Sequence, residues 1–308
     1  MKKVLVVWFV LIPLLEACKF KSADTRQVAQ IDMSLKDFFQ RTDQRIPLIS
    51  AHRGGPSPGY PENCLETFEY VAGRIPVLIE CDVERAGDGT LILMHDETLD
   101  RTTTGHGRVS DFGWQELKQL DLVDNEGNAT PYKIPTLRQT LRWAKEQTLI
   151  LTIDVKRSVA FEDVTAVIEQ EDAADQVVMI TYTLGAAQKV HRLAPHLMLS
   201  VTCRNQQELD RLRQSGIPMD QILAFTGTSE PSLDLYRSLH QAGVYCILGT
   251  LGNLDRQAQA RGNQIYSDFV DRGADIIATD RPFEVAEILS TQYDMAKPFR
   301  VLPENHYE

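Results

Sequence analysis

Five short segments concentrate side chains capable of acid–base or metal chemistry: His52-Arg53-Gly54-Gly55, Pro61-Glu62-Asn63, Glu80-Cys81-Asp82, His95-Asp96 and Asp154-Val155-Lys156. Residues i and i+2 of a strand face the same way, with Cα atoms roughly 6.5–7 Å apart. Glu80 and Asp82 therefore share a face, and Cys81 points to the other. Two carboxylates on one face of an apolar strand repel each other unless a cation or solvent compensates. Oxygen ligands of this kind suit one divalent cation, Mg²⁺ or Ca²⁺, better than zinc. Asp154 and Lys156 repeat the spacing, so Asp154 can complete a metal site with Lys156 beside it as an anion ligand. Imidazoles titrate near neutrality, which lets His52 and His95 divide general-base and general-acid work. Arg53 offers a planar fork for a phosphate. Gly54 and Gly55 allow close approach of backbone to a ligand. Together these groups describe phosphoryl transfer.

Taken singly, each feature has an ordinary reading: a structural His at a strand end, solvent-facing carboxylates, a plain Asp–Lys ion pair. The joint pattern at one rim is what argues for a site. His191, His196, His240 and His306 lack such company and are expected on helices or at the surface, and His106 has no role assigned.

The elements that must position these residues are legible as apolar runs. They are Pro47–Ala51, Val77–Val83, Leu149–Val155, Val177–Tyr182, Met198–Cys203, Ile222–Phe225, Val244–Leu248 and Asp275–Thr279, rich in Val, Ile and Leu as doubly buried strands are. Helical patterns separate them. Leu137, Leu141 and Ala144 follow the N-cap candidate Thr136, and Leu235, Leu239 and Ala242 lie between Pro231 and Gly243. Strands alternating with helices predict parallel pairing, and this many units predict a closed α/β barrel, a (β/α)₈ TIM barrel. No GxGxxG follows the first strand to favour an open dinucleotide-binding sheet. The second and third runs are too far apart. Asp88-Gly89 marks a hairpin turn with Leu91–His95 returning, and residues 96–134, with their turn-like groups of Gly, Thr and Asp, read as an insertion over the strand C-terminal ends.

With 308 residues, 43% hydrophobic and 24% charged, the chain is globular, and a net charge of −11 argues against a nucleic-acid partner. Lys2 and Lys3 followed by the apolar run Val4–Leu15 have the form of a secretory signal over residues 1–17. Leu15-Glu16-Ala17-Cys18 resembles the lipobox of bacterial lipoproteins, with Glu16 a departure from the usual small or apolar residue. That resemblance implies lipidation at Cys18, a membrane anchor and a place at the bacterial cell envelope, facing the periplasm; Lys19 leans toward the outer membrane. Residues 18–45 then read as a tether with a short helix capped by Ser34, residues 46–295 as the barrel and 296–308 as a tail. Cys64, Cys81, Cys203 and Cys246 form no CxxC pair and are expected as buried thiols. No sequence signal addresses oligomeric state.

The ordered set His52-Arg53-Gly54, Pro61-Glu62-Asn63, Glu80-x-Asp82, His95-Asp96, Asp100-Arg101-Thr102-Thr103 with Gly105 and Gly107, Ile134-Pro135-Thr136-Leu137, Asp154-x-Lys156 and Thr279-Asp280-Arg281-Pro282 resembles the glycerophosphodiester phosphodiesterase family across residues 48–283. The resemblance implies a TIM barrel and metal-dependent hydrolysis of a glycerophosphodiester, a small-molecule substrate, to an alcohol and sn-glycerol 3-phosphate. By motif position it implies His52 and His95 as the acid/base pair and Glu80, Asp82 and Asp154 as metal ligands. It further implies Arg53 and Lys156 on the phosphate, with Glu62 lining the site toward the metal or glycerol. Two positions depart from the family pattern. Asp154 stands where Glu is usual, and Leu248-Gly249-Thr250-Leu251-Gly252 replaces a Trp-Thr pair that lines the substrate pocket. The alternatives are an envelope lipoprotein that binds a phosphodiester or polyol headgroup without catalysis, and a related phospholipase C- or D-like phosphodiesterase.

Overall fold

The computed structural model describes residues 34–40 and 46–299. Cys18, the segment before it, His306 and most of the tail lie outside the described residues. The strands are β1 (Leu48–Ala51), β2 (Leu78–Arg85), β3 (Leu91–Leu93), β4 (Asp121–Val123), β5 (Ala129–Lys133), β6 (Leu151–Val155), β7 (Val177–Thr181), β8 (Met198–Thr202), β9 (Ile222–Phe225), β10 (Tyr245–Gly249) and β11 (Ile276–Thr279). Strands β1, β11, β10, β9, β8, β7, β6 and β2 pair in that order, all parallel, and β2 pairs back onto β1. This closes a (β/α)₈ barrel whose strands are the predicted runs.

Side chains alternate across the wall. Ile49, Ile79, Cys81, Val83, Ile153 and Met179 pack outward against the helices in the main apolar core. Leu48, Leu78, Ile150, Val178, Met198, Leu223, Ile247 and Ile276 fill the lower lumen. The short helix Leu35–Phe38 is capped by Ser34, whose side chain accepts from the Asp37 N–H. Beyond the expected capping, the helix plugs the barrel: Leu35 and Phe39 are buried against the lower lumen, and the Phe39 ring meets Tyr245 edge-on at 5.7 Å. The helix Leu137–Gln147 starts at Thr136 as predicted, with a reciprocal cap to Gln139. Leu233–Gln241 is capped by Ser232, and Gly243 follows its end.

Strand β2 runs past Val83 because β3 pairs with it antiparallel, Val83 opposite Leu93. The following segment is more ordered than its turn-like composition suggested. It holds a short helix, Trp114–Leu117, and the antiparallel pair β4–β5. It has its own apolar cluster, in which Leu99, Val109, Leu117, Leu122 and Ile134 pack on Cys64, Ile92 and Met94. The three-residue strand β4 buries only its central Leu122, so no alternation could show in the sequence. The four cysteines Cys64, Cys81, Cys203 and Cys246 are buried. His240 lies on the helix Leu233–Gln241, one of the two places expected for it, and is a half-buried partner of Asp275, with Nε2 2.9 Å from Oδ2.

Candidate active site at the barrel mouth

Parallel pairing of β2 with β6 sets Asp82 beside Asp154 and Glu80 beside Thr152. This register brings together carboxylates that are remote in sequence. Glu80, Asp82 and Asp154 are all buried, and each offers an oxygen within 4.8 Å of the others. Asp154 Oδ1 is buried with no hydrogen-bond partner among the described residues. Lys156 Nζ stands 2.5 Å from Asp82 Oδ1 and 2.9 Å from Asp154 Oδ2. Burial, reinforced by neighbouring Asp82, pushes the Glu80 carboxyl up to about 8. Asp82 is moved the other way: burial opposes its charge, but Lys156 and Asn63 outweigh that and hold it low. A cluster of buried carboxylates that keeps a proton on one member and leaves an oxygen without a donor lacks positive charge. That donor set fits a hard divalent cation.

His52 follows β1 in a 3₁₀ turn, His52–Gly54, in which Arg53 takes left-handed φ 53°. This uncommon conformation aims the Arg53 N–H at Glu80 Oε2, 2.6 Å away. Gly54 and Gly55 serve packing rather than ligand approach. A Cβ on Gly54 would lie 2.2 Å from the Phe68 ring, and one on Gly55 2.8 Å from Pro282. His52 Nδ1 is 2.7 Å from Asp280 Oδ1, which leaves Nε2 for the cavity. Burial works against the His52 charge, but Asp280 and then Glu80 outweigh it, and the imidazole is raised above its ordinary value. Asp280 is itself set in place from below: its backbone N–H donates to buried Asp255, which also accepts from Tyr266 and Thr279 hydroxyls.

His95 follows β3, with Nδ1 2.6 Å from Asp96 Oδ1. Arg101 grips Asp96 through Nε at 2.7 Å and holds that carboxyl down to about 2. The same guanidinium reaches buried Glu62 with two bonds of 2.8 Å. Arg53 Nη1 reaches Glu62 as well, at 3.1 Å. The carboxylate of Glu62 thus lies between two arginines, outside the Glu80, Asp82 and Asp154 group.

His52, Glu80, Asp82, His95, Asp154 and Lys156 line one cavity of about 310 Å³ in the barrel mouth. Arg53 and Glu62 face an adjoining groove of about 720 Å³ roofed by the turn Asp124–Gly127 between β4 and β5. That turn is tied down by Asp124, which accepts the Gly59 N–H at 2.9 Å.

Four residues quoted within the motifs prove to hold the others, a role their spacing did not reveal. They are Asn63, which clamps Asp82 through both its side-chain amide and the Asp82 N–H, together with Asp96, Arg101 and Asp280. The adjacency of Asp96 to His95 was the only available signal. Tyr182, at the end of β7, was not anticipated. It lines the cavity.

Residues 52–283 match the family model described as the glycerophosphoryl diester phosphodiesterase family. A glycerophosphodiester phosphodiesterase of Caldanaerobacter subterraneus is 31% identical over 160 residues, covering 50% of this chain and 65% of that protein. Human glycerophosphodiester phosphodiesterase 1 is 38% identical over 115 residues, 36% of this chain and 34% of that one. A crystal structure of a glycerophosphoryl diester phosphodiesterase from Parabacteroides distasonis superposes with a TM-score of 0.76 at 36% identity, covering 83% of this chain and 90% of that one. A phosphodiesterase from Oleispira antarctica shares the fold, with a TM-score of 0.64 at 20% identity over 80% of this chain and 97% of that one. With a match running from His52 at the end of the first barrel strand to Phe283 beyond the last, this chain belongs to the glycerophosphoryl diester phosphodiesterase family.

Proposed function

We propose that this protein hydrolyses glycerophosphodiesters to an alcohol and sn-glycerol 3-phosphate, with His52 and His95 as its acid/base pair. The observation that carries the reading is that two imidazoles, each held at Nδ1 by its own aspartate, open onto the same cavity as three buried carboxylates. The family membership and the Oleispira antarctica structure, which holds sn-glycerol 3-phosphate as product, support the same chemistry.

Glu80, Asp82 and Asp154 would hold one divalent cation, Mg²⁺ or Ca²⁺. When bound, such an ion supplies positive charge to the phosphoryl oxygens. Lys156, which ion-pairs with Asp82 and Asp154, and Arg53, braced by Glu62, add positive charge for the phosphate. One imidazole takes a proton from the nucleophile, either water or a substrate hydroxyl beside the phosphoester; in the second case a cyclic phosphate forms first and water then opens it to sn-glycerol 3-phosphate. The other donates a proton to the departing alkoxide, so the phosphorus–oxygen bond to the alcohol breaks as the new one forms. Asp280 and Asp96 fix the tautomer and direction of the two rings and stabilise each when protonated.

The test is a product assay across glycerophosphocholine, glycerophosphoethanolamine and glycerophosphoglycerol, with metals added back singly to chelated protein. Release of sn-glycerol 3-phosphate is the expected result. Its absence with every substrate and every cation would overturn the reading in favour of a binding protein or a phosphodiesterase for other lipids.

Lipid attachment at Cys18 and an envelope location form a second proposal, supported by Leu15-Glu16-Ala17-Cys18. Labelling with a radioactive fatty acid should mark the wild type and not Cys18→Ser; equal labelling refutes the anchor.

A further inference from the structure

The cavity has two unlike walls. Every charged side chain that lines it comes from β1, β2, the β3 hairpin or β6, on one half of the barrel. The facing half presents Ile180, Phe225 and Leu251 beside the uncharged hydroxyl residues Ser200, Thr202 and Thr228, with the Tyr182 ring at the rim, 62% exposed. Ile180, Phe225 and Leu251 are each only partly buried, whereas their outward-facing neighbours Met179, Ala224 and Leu248 are fully buried. The barrel therefore leaves carbon uncovered on one side of a concave polar site, the usual anatomy of a pocket that takes an apolar group. Phe225 is also held in place: a Cβ on Gly249 would sit 3.0 Å from two of its ring carbons, so the missing side chain lets the ring lie against β10.

We propose that this wall receives the hydrocarbon body of the esterified alcohol, so that the protein favours glycerophosphodiesters of apolar alcohols. The inference rests on the proposed reaction, which puts the phosphate among Lys156, His52 and His95. The two ester arms then meet different surroundings. The polar groove beside Arg53, Glu62 and the Asp124–Gly127 turn suits a glycerol with free hydroxyls. The Phe225 wall carries no charged side chain, so it suits carbon better than a charged headgroup. Leu251, within the Leu248–Gly252 stretch that departs from the family's Trp-Thr pair, contributes aliphatic surface there.

The test uses butyl, hexyl and octyl esters of glycerol 3-phosphate, below their aggregation concentrations. Their leaving groups are matched in reactivity and differ only in length. We expect kcat/KM to rise roughly 2- to 4-fold per methylene, the fold-change set by burying a CH₂. In Phe225→Ala the rise from butyl to octyl should shrink by half or more. Leu251→Ser, in a loop, gives the same reading if Phe225→Ala folds poorly. A flat series, or one equally steep in both variants, overturns the proposal. Calorimetric binding of the series to His95→Ala protein separates this question from the reaction. Absence of hydrolysis with a binding gradient that Leu251→Ser abolishes would refute the reaction and keep the wall. Absence of a binding gradient would refute the wall itself.

Discussion

Strand β11 carries an aspartate at each end, and each aspartate holds a histidine. At the N-terminal end Asp275, fully buried, takes His240 Nε2 at 2.9 Å and the Cys246 N–H at 2.8 Å. At the C-terminal end Asp280 takes His52 Nδ1 at 2.7 Å and the Gly252 N–H at 3.2 Å. The pairs are chemically alike, and the difference lies beyond the imidazole. Past His240 stands the Tyr236 ring, stacked at 6.2 Å in the helix layer. Past His52 lies an open cavity with Glu80 across it. A histidine–carboxylate pair is thus a structural clamp where packing closes over it and, under the proposed reaction, a proton carrier where it faces space and charge. The barrel keeps the first at the end plugged by Leu35 and Phe39 and the second at the end left open.

That contrast can be broken by substitution. The largest effect is expected at His52 and His95, where replacement by Ala should lower kcat about 10²-fold or more. His240→Ala should leave kcat within about 2-fold and lower Tm instead. Equal losses of kcat at both ends of β11 would erase the distinction. Asp280→Asn keeps the shape and removes the charge that raises His52. Turnover should fall about tenfold or more, and the limb of the pH–rate profile that belongs to His52 should move to lower pH. An unmoved profile with reduced kcat would make Asp280 merely structural.

Cation binding should follow Glu80. Its folded carboxyl titrates near 8, above its ordinary value of 4.5, so a cation must displace a proton through most of that range. Apparent affinity should rise about tenfold per pH unit between pH 6 and 7.5 and level off above about 8; a pH-independent affinity contradicts this. The same shift has a cost without the cation. The unfolded chain releases this proton near 4.5 and the folded one near 8, so the Glu80 contribution to stability declines as pH rises through that window. Cation binding above about 8 should offset it, read as a larger Tm increase at pH 8 than at pH 6.

The smallest effect on activity is expected at the plug. Leu35→Ala and Phe39→Ala each remove a buried side chain from the closed end and should cost about 2–4 kcal/mol by denaturant titration, with kcat of the folded fraction unchanged.

The barrel was legible because its strands bury both faces and therefore appear as unbroken apolar runs, and because parity along β2 places Glu80 and Asp82 together whatever the rest of the chain does. Register was not legible. That Asp154 pairs beside Asp82, and not one residue higher or lower, is settled by the β2–β6 ladder, to which local sequence is blind. The bracing residues were hidden for a related reason. Asp280 is 228 positions from His52, and Arg101 meets Glu62 across 39, so no spacing rule links them. The insertion hid its order because β4 and β5 are short and polar on most positions, and its apolar cluster is assembled from isolated residues in turns. The glycines of the first motif were misassigned since a close approach is equally well made by Phe68 and Pro282 as by a ligand.

The proposed cation-dependent reaction is tested most directly by one titration: Mg²⁺ or Ca²⁺ added to chelated protein, with heat of binding and release of sn-glycerol 3-phosphate from glycerophosphocholine followed together. It predicts one cation per chain, turnover that rises in step with occupancy, and loss of both in Asp82→Asn. Full turnover in excess chelator, or cation binding that survives Asp82→Asn unchanged, would contradict it.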